Sequence, residues 1–248
     1  MNSLRGIVSR ARGVHTGRAL LKEAPRNLKG KKHSSQLWLM RQMRDPYVEK
    51  AKQENYRCRS AFKLLEINER HRILSPGLTV VDCGAAPGSW TQVAVNLTNA
   101  HGKREGPVGT VYAVDRLPFY PVEGATVLGN MDFTSAKTQE TLSELLRGEK
   151  ADVVLSDMAP NASGVRDIDH DNIMLLAYAV LRFALQIGRV HRGSALVVKV
   201  WDGGKTRQFE ENLLKFYNSV RVIRPDATRD ESTEKFFLAR GFKGLKTS

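Results

Sequence analysis

Four residues of this 248-residue chain stand where a short apolar run, rich in β-branched side chains, gives way to polar sequence. Asp82 follows Thr79-Val-Val81, Asp115 follows Thr110-Val-Tyr-Ala-Val114, Asp157 follows Ala151-Asp-Val-Val-Leu-Ser156, and Lys199 lies near the end of Ser194-Ala-Leu-Val-Val-Lys-Val200. Each run reads as a buried strand and each polar residue as its C-terminal end. Singly, each has a plain explanation, because polar residues commonly end strands and a lysine there can snorkel to solvent. Together they put three carboxylates and an amine along one edge of one sheet. In doubly wound sheets ligands bind beyond that edge, at the switch in strand order. Carboxylates there suit a ligand that carries hydroxyls and positive charge.

The loop after the first run narrows that ligand. In Asp82-Cys-Gly-Ala-Ala-Pro-Gly-Ser-Trp90, Gly84 and Gly88 let the backbone turn sharply and approach a ligand, and Pro87 stiffens the loop. Ser89 is placed to cap the helix that Trp90-Thr-Gln-Val-Ala-Val-Asn-Leu97 begins. A dinucleotide loop wants G-x-G-x-x-G, and Gly84-Ala-Ala-Pro-Gly88 lacks the central glycine that admits a pyrophosphate. A phosphate would also prefer a cation where Asp82 stands. S-adenosylmethionine fits better: it has ribose and adenine but no phosphate, and it carries a sulfonium and an amino group. Asp115, ending the second strand, suits its ribose diol. Trp90 reads either as core or as pocket wall, and its place in the first helical turn favours the pocket.

The elements that must position these residues alternate in type. Thr126-Val-Leu128 is a short third strand, followed by Asp132-Phe133. Helices are expected over 135–146, 171–187 and 208–217, and further strands over 220–223 and 234–240. Upstream, Ser60 is expected to cap a helix whose Ala61, Leu64 and Leu65 face the core. Lys63 lies off that stripe, one turn after Arg59, and on its own reads as a solvated lysine. A shorter helix over 35–44 should end at Asp45-Pro46. The alternation predicts an α/β class protein: a doubly wound, Rossmann-like, mostly parallel sheet with one antiparallel strand.

Charge divides the chain. The net formal charge is +13, which points to a polyanionic partner. Residues 1–25 carry five Lys or Arg and one acid, residues 26–72 thirteen and five, and residues 73–248 twenty-one and twenty. The leading third is therefore strongly basic and the remainder near neutral. Residues 1–25, acid-free before Glu23 with arginines set among small and apolar residues, read as a mitochondrial presequence. Residues 26–55 read as a basic RNA-contacting extension, and 56–248 as the catalytic domain. Two cysteines, Cys58 and Cys83, exclude a disulfide framework or a cysteine-based zinc site, and no apolar run is long enough to span a membrane.

Three stretches, Asp82 to Trp90, Ser156-Asp-Met-Ala-Pro-Asn161 with Gly164, and Tyr56-Arg-Cys-Arg-Ser-Ala-Phe-Lys63, closely resemble the FtsJ-type ribosomal RNA 2′-O-methyltransferases. The resemblance covers about residues 35–243. Within that family it is nearest the mitochondrial branch, which methylates a uridine ribose in large-subunit rRNA. Ser89 departs from the glycine common there. The resemblance implies an S-adenosylmethionine-dependent methyltransferase without a metal, with Lys63, Asp157, Lys199 and Glu234 as catalytic set. It implies cofactor contacts from Gly84, Pro87, Gly88, Ser89, Trp90, Asp115 and Asp157, and from Asp132 to the adenine amino group. The chemistry suits these residue types. A ribose 2′-hydroxyl must lose its proton as it attacks, and a lysine whose pKa is lowered by burial and a second ammonium is a competent base. Lys199 is thus the expected base, Lys63 the positioner of hydroxyl or phosphate, and the two acids their orienting partners. Glu231 could replace Glu234 if the last strand were shifted, but alternation puts Glu234 on one face with Phe236 and Leu238.

The implied partner is ribosomal RNA or a large-subunit precursor, the implied place the mitochondrial matrix, the role support of ribosome assembly, and the state a monomer. Two other classes are open. One is an RNA-binding assembly factor that keeps the fold without catalysis, which the presence of all four catalytic positions argues against. The other is a 2′-O-methyltransferase acting on tRNA anticodon loops, which only the family likeness argues against, or on mRNA caps, which the lack of a cap-binding insertion argues against.

Overall fold

The computed structural model describes residues 45–245 and, ahead of them, Gln36, Leu39, Met40 and Gln42. The expected presequence lies outside the described residues, as does most of the basic stretch up to residue 44. Gln36, Leu39, Met40 and Gln42 are helical, as the expected 35–44 helix requires. The unit from Pro46 onward opens with helices α1 (Pro46–Gln53) and α2 (Ala61–His71). Strand β1 (Thr79–Cys83), helix α3 (Ser89–Thr98), β2 (Thr110–Val114), β3 (Ala125–Leu128) and α4 (Ala136–Leu145) follow. Then come β4 (Val153–Ser156), α5 (Arg166–Ile187), β5 (Ala195–Trp201), α6 (Thr206–Phe216), β6 (Tyr217–Ile223) and β7 (Glu234–Phe242).

The seven strands form one sheet in the order β3-β2-β1-β4-β5-β7-β6. Strands β1 to β5 pair in parallel, while β7 runs antiparallel between β5 and β6. The order reverses between β1 and β4, where a doubly wound sheet opens its ligand crevice.

Alternation along the strands builds two cores. Val80, Val153, Val197 and Phe236 point to the face covered by Leu64 and Ile67 of α2 and Val93 of α3. Val81, Val154, Val198 and Phe237 point to the other face, against Leu142 of α4, Phe183 of α5 and Phe209 of α6. Fully burying each such side chain stabilises the fold by roughly 1.5–3 kcal/mol. Helix α1 joins the first layer's flank: its buried Ala51 packs with Phe62 of α2 and Ala227, and Tyr47 packs against them.

Several local expectations need correction. Asp82 is not at a strand–loop boundary; it is the fourth residue of β1, with no exposed surface, and Cys83 ends the strand. Ser89 does not cap α3. The cap is Gly88 at φ 106°, and Ser89 is a buried first-turn residue. Ser60 does precede α2 but makes no capping bond, its backbone being already helical. Instead the Ser60 and Ser89 hydroxyls meet at 2.8 Å, each 3.0 Å from the Cys58 sulfur, and tie the starts of α2 and α3 together. Helix α5 begins one turn before 171, where Asp169 accepts bonds from Ser163 and Gly164 and fixes the preceding loop. Strand β6 begins at Tyr217; its exposed Asn218 and Ser219 hide an edge strand behind polar sequence.

Candidate active site

Four elements deliver the four expected catalytic residues to one place. Lys63 comes from the first turns of α2, Asp157 directly follows β4, Lys199 lies in β5, and Glu234 opens β7. Lys199 Nζ donates to the Asp157 backbone oxygen and, at 3.0 Å, to its Oδ1. Lys63 Nζ lies 2.5 Å from Glu234 Oε1 and 3.8 Å from Asp157 Oδ1, and Lys199 Nζ lies 3.7 Å from Glu234 Oε2. Each carboxylate thus reaches both ammoniums. The ring of Phe236, 5.7 Å from Lys63 Nζ, closes one side. The β5–β7 register explains the assembly: Trp201 pairs with Glu234 and Lys199 with Phe236, so the four polar or aromatic groups share one face at one end. Glu231 is exposed, and Glu234 takes the position that alternation indicated.

The electrostatics differ from the expected pair of repelling lysines. Burial works against the Lys63 ammonium, but Asp157 and Glu234 outweigh it, so the Lys63 pKa is raised and the group stays a cation. Burial likewise works against the Asp157 carboxylate, and the two lysines overturn it, holding the carboxyl below its ordinary range. Two cations and two anions balance in a site where an unpaired charge would be costly.

The expected cofactor residues lie at or beyond the ends of β1, β2 and β3 and, for Asp157, β4. Gly84 and Ala85 donate their backbone N–H groups to Val114 O, which seats the glycine loop on the end of β2. Both loop glycines answer contacts within the protein: a Cβ on Gly84 would stand 2.1 Å from Met158 Cγ, and one on Gly88 2.6 Å from Arg57 Nη1. Asp115 accepts from Ala86 N at 2.9 Å and Leu117 N at 2.7 Å, so it orders both neighbouring loops, and a carboxylate retains further acceptor sites. Asp132, exposed beyond β3, accepts two bonds from Thr134 at Oδ1, which lower its pKa and leave Oδ2 outside those bonds. Pro87, Gly88 and Ser89 lead into α3, whose first N–H groups have no intrahelical partner.

Trp90 departs from its expected place. Its ring is buried against Phe236 at 5.5 Å and its indole N–H donates to Ser60 O, so the side chain belongs to the core. Only its backbone remains to meet a ligand.

Three residues carry more of the site than their sequence positions suggest. Asp82 accepts from Thr91 Oγ1 at 2.7 Å, while its Oδ1 is buried without a hydrogen-bond partner among the described residues; burial pushes its pKa to about 7. Arg57 clamps the glycine loop, donating to Pro87 O, Tyr120 O and Pro121 O. Arg224 gathers the loop before β7 by donating to the carbonyls of Arg229, Asp230, Ser232 and Glu234. Nothing in the spacing of the two arginines marks them, because their partners are backbone carbonyls, which any residue type supplies. Among the described residues, no group of three or more His, Cys, Asp or Glu side chains could hold a metal ion, and no helix is long and apolar enough to cross a membrane.

The chain is 55% identical over 238 residues to a protein of Drosophila melanogaster named rRNA methyltransferase 2, mitochondrial, covering 95% of this chain and 94% of that one. It is 43% identical over 229 residues to the ribosomal RNA large subunit methyltransferase E of Cereibacter sphaeroides, covering 92% of each. In fold it resembles a crystal structure of a Plasmodium falciparum ribosomal RNA methyltransferase, with a TM-score of 0.66 at 22% identity, over 77% of this chain and all of that one. Residues 56–242, from just before the Arg57 clamp to the last residue of β7, match the FtsJ-like methyltransferase description, and the chain belongs to that family.

Proposed function

We propose that this protein transfers the methyl group of S-adenosylmethionine to the 2′-hydroxyl of a uridine ribose in mitochondrial large-subunit rRNA, within the matrix, in support of ribosome assembly. The observation that carries the reading is the balanced Lys63–Asp157–Lys199–Glu234 cluster at the mouth of the sheet crevice. The names of its Drosophila and bacterial relatives support rRNA as substrate, and the first supports the mitochondrion.

The residues fit the donor they would hold. Asp82 offers an orphaned buried oxygen beneath the glycine loop, a fit for a cationic group. Asp115 and Asp132 present carboxylates at adjacent strand ends for ribose hydroxyls and the adenine amino group. When bound, the cofactor supplies an electrophilic methyl group. The protein's own part is to aim the nucleophile and remove its proton. Lys63, held cationic, positions the ribose hydroxyl or an adjacent phosphate. Lys199 takes the hydroxyl proton at Nζ once it has given up its own. Asp157 and Glu234 each lie within ion-pair distance of both amines and hold them in place, so alignment supplies much of the rate.

The test is methyl transfer from labelled S-adenosylmethionine to mitochondrial large-subunit rRNA, comparing wild type with Lys199→Ala. Ribose-linked label with the wild type only supports the reading. Full activity in Lys199→Ala would remove the base assignment, and label on a base rather than a ribose would remove the reaction class. The assembly-factor reading requires that Lys199→Ala support ribosome assembly as well as wild type while transferring no methyl group.

A further inference from the structure

We infer a second phosphate-binding site at the opposite end of β7 from the catalytic cluster, taking a backbone phosphate of the same RNA. It rests on the reading of the protein as an RNA methyltransferase. A cavity of about 440 Å³ there is lined by Arg192, Asn218, Ser219, Arg240 and Gly241. The lining holds two guanidiniums, an amide and a hydroxyl, and no acid.

The site is built rather than incidental to loop packing. Register places Arg240 opposite both Ala195 at the start of β5 and Ser219 of β6. Gly241, at φ 71°, leaves room for the Asn218 amide, which would stand 2.6 Å from a Cβ there. Arg240 spends Nη1 on His71 O, yet its Nε is buried without a hydrogen-bond partner among the described residues. Arg192 is exposed and makes no hydrogen bond or ion pair with the described residues. The surroundings are positive as well: burial, then Arg221, Arg240 and Arg70, hold the pKa of His71 below its ordinary value. A phosphate meets here a planar guanidinium, a buried unused N–H, an amide and a hydroxyl, a donor set suited to its oxygens. From Glu234 to Arg240 the strand rises about 20 Å, so one RNA touching both sites passes over the elements that cover buried β7 and is anchored several nucleotides from the methylated ribose.

The experiment titrates a fluorescent rRNA fragment against the full chain at several salt concentrations, for wild type, Arg192→Glu and Ser219→Asp, with cofactor affinity measured alongside. Both substitutions are at exposed side chains, so folding is preserved. The expected result is an RNA affinity lowered about three- to tenfold, with the log–log salt slope reduced by about one and cofactor affinity unchanged. Variants that match wild type in affinity and slope, while wild type binds and methylates the RNA, overturn the inference alone. A wild type that neither binds nor methylates RNA overturns the functional reading and this inference with it. In a parallel arm, inorganic phosphate is added to isotope-labelled protein while arginine Nε–H signals are followed. Shifts that vanish in the variants without any change in RNA affinity mark a site for free phosphate, and they too overturn the inference.

Discussion

Lys199 donates to the backbone and side chain of Asp157 and stands within ion-pair distance of Glu234, and its proposed role as base rests on one nitrogen exchanging one proton. Lys199→Arg keeps the charge but cannot accept a proton at working pH. It should lower kcat about 10²–10⁴-fold with little change in cofactor affinity, as measured by single-turnover methyl transfer. A variant within tenfold of wild type would assign the base elsewhere. Asp82 makes a different forecast. An unfolded aspartate loses its proton near pH 4, whereas the folded one keeps it to about pH 7. Between those values the folded state holds the extra proton, so this group's contribution to stability falls as pH rises through the window and stays lowered above it. Asp82→Asn should therefore gain on wild type by on the order of 2–4 kcal/mol between about pH 4 and pH 8, read by urea denaturation. A gap independent of pH would contradict the buried, protonatable carboxyl. At this scale the sequence was uneven. Alternation selected Glu234 over Glu231, but Lys63 alone read as a solvated lysine, because only the fold brings Glu234 within 2.5 Å of it.

The elements that aim these residues were legible where period and composition agree. The parallel strands are continuous apolar runs, and crossover helices link β1 to β2, β3 to β4 and β4 to β5. The local ends were less legible, since helix caps and strand limits depend on tertiary partners. Ser89 has a capping residue's chemistry, yet its hydroxyl is spent on Ser60 and Cys58. Trp90 begins its helix as a pocket residue would, but α2 and β7 fold over its ring. Gly84 shows how tightly the elements interlock: it sits at φ 78°, and any Cβ would strike Met158 beside Asp157. Gly84→Ala should destabilise the fold by about 2–4 kcal/mol through left-handed backbone strain and overpacking, and should lower methyl transfer with it. Thermal unfolding unchanged within a degree would show that the loop can shift freely.

The whole molecule is a near-neutral catalytic unit behind a basic leading segment. Residues 26–44 carry six Lys or Arg and no acid. Deleting them, while sparing α1 and its packing against Phe62, should weaken RNA binding and lower the salt slope by up to about 4, with cofactor affinity unchanged. Equal loss of both affinities would make the segment structural. Charge was readable from composition alone, whereas the cavity at Arg192 and Arg240 was not, because residues 192, 218 and 240 come from before β5, from β6 and from β7 and meet only in the folded sheet. The most direct test of the central claim is a map of ribose 2′-O-methylation in mitochondrial rRNA, taken with the protein present, depleted, and replaced by Lys199→Ala. The expected map loses one large-subunit uridine on depletion, and the variant does not restore it. A map that is the same in all three would contradict the account.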